Sequence, residues 1–303
     1  MVRFRCPFRL AAVILAVLAS AVAGCSSSSS RATVFADGGG SGGQAGGAGS
    51  GGGPGDAGFD VAAPTKEGLV QLYQFHAVNA AGSTLALSVQ FPSGIGPDCS
   101  TVEHGPCIVV TCTGDTPPGP VEAAGDITVA NENTAAALPK LSPEVEQHYL
   151  PQVHDLTTEF AQTGDPINIQ ASGGLVPGFQ ASVPLPTKAS LSTATSQLST
   201  VKTSSDYAFA WTGGGAGQPV LVRFFGSAGT RITCEFASSS GQGSVPMAAL
   251  AALSGSGAAT VYITNLAQTT VNAGDYAVDV RVERALYTDQ NKGALLNNLP
   301  VQN

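Results

Sequence analysis

The chain has 303 residues, 43% of them hydrophobic and only 11% charged, with 38 Gly, 19 Pro and a formal net charge of −8. That length builds one large domain or two small ones, and the acidic balance argues against nucleic acid as a partner. With charge this scarce, solubility rests on Ser, Thr, Gln and Asn, a balance common in exported β-proteins.

Arg3, Arg5 and Arg9 form a positive N-terminal region, followed by an uncharged run of small and apolar residues from Leu10 to Ala23. The run is too short for an ordinary transmembrane helix and fits the apolar region of a signal peptide. Val22-Ala23-Gly24-Cys25 closes it. This pattern resembles the lipobox of bacterial lipoproteins. The resemblance implies a signal peptide over 1–24, a diacylglyceryl group on the Cys25 thiol, and acylation, such as palmitate, of the amine that cleavage exposes. An ordinary secretory signal cut after Ala23 is the alternative. Each acyl chain contributes roughly 0.8 kcal/mol per buried CH₂, so two or three chains make a permanent membrane anchor. Ser26 stands where Asp usually means inner-membrane retention, so the same resemblance points to the outer membrane. Loss of Arg3, Arg5 and Arg9 with no acid takes the charge from −8 to −11.

Residues 25–64 are Ser- and Gly-rich, with a Ser run at 26–30 and Gly38-Gly39-Gly40-Ser41-Gly42-Gly43 beyond it. Too little apolar surface is present to offset ordering entropy, which predicts a disordered tether. About 37 residues of flexible coil span roughly 30–35 Å. The G-x-S-x-G and G-x-G-x-x-G matches inside it lack the flanking strand and helix that their chemistry requires, and are discarded.

From residue 65 onward the periodicity is mostly two. Leu85, Leu87, Val89 and Phe91 alternate with small or polar residues, as do Tyr207, Phe209 and Trp211. Val220–Phe225 and Arg231–Phe236 predict two strands around a turn at 226–229. Tyr276, Val278, Val280 and Val282 alternate with Ala277, Asp279, Arg281 and Glu283, the pattern of a strand apolar within and charged without. Further strands are expected at 69–75, 107–112, 126–130, 167–171 and 260–264. Ser142-Pro143-Glu144 predicts a short helix to Tyr149, and Val245-Pro246-Met247 opens a helical turn or two up to Leu253. The expected fold is all-β, an antiparallel β-sandwich of two packed units: an N-terminal β unit over 65–190 and a C-terminal Ig-like unit over 191–303.

Asp206-Tyr207-Ala208-Phe209-Ala210-Trp211, Cys234-Glu235-Phe236 and Ser244-Val245-Pro246, with Gly164-Asp165-Pro166-Ile167-Asn168-Ile169 and Val176-Pro177-Gly178-Phe179 upstream, resemble surface lipoproteins of myxobacterial type. The likeness covers residues 160–285 together with the Cys25 anchor and tether. It implies a β-sandwich and export, and carries over no catalytic residue.

Cys99, Cys107, Cys112 and Cys234 remain in the mature domain, an even number that predicts two disulfides in an oxidising compartment. Cys107 and Cys112 lie five residues apart in one expected strand, on opposite faces and roughly 16 Å apart at ~3.3 Å per residue, so they do not pair. The favoured pairing is Cys99–Cys107 and Cys112–Cys234. The alternative, a metal site from Cys99, His104, Cys107 and Cys112, matches no zinc-ligand spacing, so no metal or cofactor is expected.

His76, His104, His148 and His154 are the only histidines. His148 and His154, with Glu144, Glu146, Asp155 and Glu159, make the densest polar cluster, either a carboxylate–imidazole site or a solvated connector. The connector is favoured. Trp211 alternates with Tyr207 and Phe209, which favours core packing over ligand contact. No catalytic residue is assigned. The expected function is a non-enzymatic, lipid-anchored envelope module, membrane-bound through Cys25, with an envelope protein or a glycan as partner. A carbohydrate- or small-ligand-binding lipoprotein and an anchored hydrolase are the alternatives.

Overall fold

A computed structural model describes residues 64–76, 83–91, 99–112, 122–131, 141–143, 149, 152–156, 159–226, 229–288 and 293–303. The signal, Cys25 and the tether up to residue 63 lie outside the described residues, as do residues 144–148 of the helix expected to open at Ser142-Pro143-Glu144 and run to Tyr149.

The described chain is all-β. Its strands are β1 (Lys66–His76), β2 (Ser83–Gln90), β3 (Cys99–His104), β4 (Cys107–Cys112), β5 (Ile127–Asn131) and β6 (Gln152–Asp155). There follow β7 (Pro166–Ala171), β8 (Phe179–Pro184), β9 (Ala189–Leu191), β10 (Val201–Lys202), β11 (Tyr207–Gly213) and β12 (Val220–Phe225). The last are β13 (Thr230–Phe236), β14 (Gln242–Val245), β15 (Ala258–Ala273), β16 (Tyr276–Ala285) and β17 (Leu295–Gln302). Every strand expected from alternation is present. The helical turn expected after Val245 is Met247–Leu250, continued as a 3₁₀ turn over Ala251–Leu253. Among the described residues, no helix is long and apolar enough to cross a membrane.

One 11-stranded sheet runs β3-β4-β13-β12-β15-β16-β1-β2-β6, with β17 joining β15 and β10 joining β17. Two three-stranded sheets, β5-β7-β8 and β14-β11-β9, pack on it. Pairing is antiparallel except for β1 with β16 and β10 with β17. The large sheet therefore takes strands from both sides of residue 190. The stretch likened to an Ig unit divides between layers: β11 and β14 lie in a small sheet, and β12, β13, β15 and β16 in the large one.

Register shows which face each strand buries. Residues directly opposite in an antiparallel pair share a face. Val222 stands opposite Ile263, and Ala267 opposite Val282, so these four side chains lie on one face of the large sheet. That inner face carries both cores. Val70, Leu72, Leu87, Val278, Val280 and Val282 meet Ile127, Ile167, Ile169 and Val183 of β5-β7-β8. Val222, Phe224, Ile232, Val261 and Ile263 meet Leu191, Tyr207, Phe209 and Trp211 of β11 and β9. The two small sheets thus lie side by side on a common face, giving a sandwich with two cores.

A polar row separates the cores. Gln74, Arg284 and Asn265 stand opposite one another on β1, β16 and β15, and all three are buried. Arg284 donates to Thr163 Oγ1 at 3.0 Å and to the Pro186 carbonyl at 3.4 Å, and Asn265 donates to the Thr187 carbonyl at 2.7 Å. Thr187 lies in the link between β8 and β9. Through Arg284 and Asn265 the seam ties the crossing between the two small sheets down onto the large one, while the buried Gln74 amide has no hydrogen-bond partner among the described residues.

Candidate functional site

The cysteines pair differently from the favoured arrangement. The bonds are Cys99–Cys112 and Cys107–Cys234. Opposite-face placement of Cys107 and Cys112 holds, but each reaches a different neighbouring strand. Cys99 stands directly opposite Cys112 on the β3–β4 hairpin, and Cys107 directly opposite Cys234 on the β4–β13 pair. The hairpin closes tightly at Gly105-Pro106, which puts His104, not Cys99, opposite Cys107. Sequence distance favoured the short Cys99–Cys107 loop; strand register overrides it. With all three of its cysteines in disulfides, the set Cys99, His104, Cys107 and Cys112 has no thiolate to offer a metal.

Of the expected polar cluster, the structure describes His154, Asp155 and Glu159. Glu144, Glu146 and His148 lie outside the described residues. Residues 152–155 are not a connector but the edge strand β6, paired with β2. Val153 is their only apolar residue, so alternation carried no signal; pairing with β2 supplies the strand. His154 Nε2 meets Gln152 Oε1 at 3.2 Å. Burial holds the imidazole below its ordinary pKa, partly opposed by Asp155. Asp155 accepts from Thr84 Oγ1 at 2.6 Å, and Glu159 from the Tyr287 hydroxyl at 2.9 Å, so the two carboxylates serve separate contacts. Nearby Tyr149 is buried, donating to the Gly125 carbonyl at 2.5 Å and accepting from the Ala124 amide at 2.9 Å. Trp211 is 2% exposed, stacks on Phe209 and donates Nε1–H to the Ser238 carbonyl at 3.1 Å. It is a core residue.

The densest charge lies where alternation predicted a solvated face. On the second face of the large sheet, Glu283 is fully buried. Arg223 donates to it with both terminal nitrogens, at 2.5 and 2.7 Å, Thr264 Oγ1 donates at 2.7 Å, and Gln71 Nε2 at 2.6 Å. Four strands contribute: β12, β15, β16 and β1. Burial pushes the Glu283 carboxyl upward, but the Arg223 charge and these hydrogen bonds overcome it and hold the group below the ordinary carboxylate range. Arg223 also leans over the Tyr73 ring, 5.9 Å from its centroid. Phe75, Tyr262 and Phe225 pack beside this pair, with ring centroids 5.8 and 5.4 Å apart.

Two more guanidiniums share the face. Arg281, opposite Gln71, reaches Asp279 at 3.2 Å. Arg231, opposite Phe225 on β13, has no hydrogen-bond or ion-pair partner among the described residues, and its Nε is sealed from solvent. Burial and the like charges of Arg223 and Arg281 pull its pKa down, while Tyr73 opposes them. The arrangement sets three guanidiniums and several aromatic rings on one face, with Arg223 paired to Glu283 and Arg281 to Asp279.

These features define an all-β, disulfide-tied, sandwich-like protein with a buried ion-pair network on the outer face of its main sheet. No family model matches the chain, and no curated protein matches it. Among solved structures, the chain is similar to one described as "Ca2+-stabilized adhesin helps an Antarctic bacterium reach out and bind ice", with 12% identity and a TM-score of 0.19 over 73% of this chain and 57% of that one. This chain thus spans less than two thirds of that one, and a likeness this slight carries no argument about function.

Proposed function

We propose that the protein is a lipid-anchored cell-envelope lipoprotein, held in the outer membrane through Cys25, whose β-domain is a non-enzymatic interaction module. The observation that carries this reading is the pair of interstrand disulfides. Such bonds persist in exported proteins and are reduced in the cytosol, which agrees with the signal pattern and Cys25. The use of titratable groups supports the non-enzymatic part. Glu283, Asp155 and Glu159 are each spent on contacts that hold strands or links together.

The test is fractionation of cells making the wild-type chain and Cys25→Ser, with labelled palmitate. The wild type sediments with outer membrane and carries label; the variant carries none and leaves the membrane fraction. Sedimentation of unlabelled Cys25→Ser with membranes overturns the anchor. A second reading, binding of a carbohydrate or small ligand, is favoured by the Arg- and aromatic-rich second face.

A further inference from the structure

We infer that the row Gln74–Arg284–Asn265 is a binding site for internal water, which joins the three side chains to one another between the two cores. The inference goes beyond the interaction-module reading and does not depend on it.

Register assembles the site. Gln74 stands directly opposite Arg284, and Arg284 directly opposite Asn265. Each follows a core residue (Leu72, Val282 and Ile263) by two positions, so all three point to the inner face of the large sheet. Leu85 and Val220, both buried, stand opposite Gln74 and Asn265 and close the two ends of the row. Gln74 and Asn265 are 0% exposed and Arg284 3%. Within this enclosure Gln74 Nε2 and Oε1, Arg284 Nε and Asn265 Oδ1 have no hydrogen-bond partner among the described residues. The remaining polar atoms of Arg284 and Asn265 are engaged, which fixes the orientation of the open ones. Asn265 Nδ2 donates to the Thr187 carbonyl, so its oxygen is the open atom. The terminal nitrogens of Arg284 reach Thr163, Pro186 and Tyr287, which leaves Nε–H.

The balance of donors and acceptors selects the occupant. Gln74 Nε2 and Arg284 Nε donate, whereas Gln74 Oε1 and Asn265 Oδ1 accept. A cation there would meet the Arg284 charge, and an anion would meet two amide oxygens. A water both donates and accepts, and internal waters make about three bonds to buried polar groups that lack other partners. Spacing agrees. Adjacent strands lie about 4.8 Å apart. A water making hydrogen bonds of about 2.9 Å to each side, at a near-tetrahedral angle, spans that gap. The Gln74 amide atoms and Arg284 Nε lie equally many bonds from their Cα atoms, so they meet such a water at one height above the sheet. Left dry, each open atom carries the cost of desolvation without return.

The test uses the mature lipidated chain purified in neutral detergent. Crystals that diffract well enough to place ordered waters will show a water within hydrogen-bond distance of Gln74 and of Arg284 Nε or Asn265 Oδ1. A dry row, direct hydrogen bonds among the three side chains, or an ion in their midst each overturns the proposal. Urea unfolding reads the same question through a sign. Gln74→Met keeps the length of the side chain and removes both of its open atoms. With water in the row, the substitution strips partners from that water and from Arg284 Nε and Asn265 Oδ1, and the midpoint falls by about 0.3 M or more. In a dry row it would delete two unsatisfied polar atoms from an apolar setting, and the midpoint would rise. A raised or unchanged midpoint therefore counts against the water. Diffraction is measured on the wild type and decides the matter should Gln74→Met fail to fold. None of these outcomes alters the Cys25 fractionation result, so the water site and the anchored-module reading fail separately.

Discussion

Cys107 on β4 and Cys234 on β13 face each other in register and are bonded across 127 positions of sequence, with Cα atoms 4.0 Å apart. Both sulfurs lie in the core beneath β11 and Trp211, whereas Cys99–Cys112 sits on the other face of the same edge. One strand, β4, is therefore fastened from both sides: to its hairpin partner by Cys112, and to the distant body of the sheet by Cys107. The edge of a large sheet is where pairing frays first, and the two bonds in sequence tie the edge strand β3 to β4 and β4 to β13.

Peptide mapping without reduction will recover Cys99 linked to Cys112, and Cys107 linked to Cys234. Removing the long-range bond as Cys107→Ser with Cys234→Ser costs about 5 kcal/mol in the chain-entropy model, and removing the hairpin bond about 3 kcal/mol. Urea unfolding of the two double variants measures the order. A larger loss from the hairpin pair would contradict it.

Breaking the buried pair on one side is expected to be severe. Glu283→Leu leaves Arg223 buried without its carboxylate and lowers stability by about 3–5 kcal/mol. Combining it with Arg223→Met removes the orphaned charge and recovers most of that loss. A double-variant cycle read by denaturant midpoints checks both statements.

The same pair sets an acid limit. In the unfolded chain Glu283 takes up its proton near the ordinary glutamate value of about 4.3; in the folded chain it does so only at lower pH. The unfolded state thus binds more protons between those values. Stability from this group is complete above pH of about 4.3 and is lost as pH falls through the folded pKa. Unfolding curves from pH 7 down to about pH 3 should show this decline, and the Arg223→Met, Glu283→Leu double variant should lose less across the same range.

Gly68 on β1 has no room for a methyl group. A Cβ there would stand 2.6 Å from two ring carbons of Phe91, itself 0% exposed and packed edge-on against Tyr149, Phe179 and Tyr276. Gly68→Ala therefore forces the ring to shift and destabilises by about 1–3 kcal/mol. Thermal unfolding reads the change, and an unaltered midpoint would mean that the aromatic cluster yields freely.

Alternation by itself determined the strands that carry a clear two-residue period and which of their residues enter the core. Tyr207, Phe209 and Trp211 point inward as their spacing requires, and Cys107 and Cys112 point to opposite faces, because side-chain period along a strand is two whatever the strand pairs with. Short strands without such a pattern, such as Gln152–Asp155, were invisible. Their conformation comes from hydrogen bonds to a neighbour and not from their own side chains. The candidate site was illegible for a related reason. Glu283 and Arg223 carry the signature of exposed residues, and 60 positions separate them. Only assembly of β12, β15, β16 and β1 into one sheet brings the charges together and shields them, and a charge is burial-tolerant only when its counter-charge arrives with it. Partner choice among the cysteines, the parallel β1–β16 join and the Gln74–Arg284–Asn265 seam belong to the same level. Each depends on which strand lies next to which, a long-range choice that local periodicity does not encode.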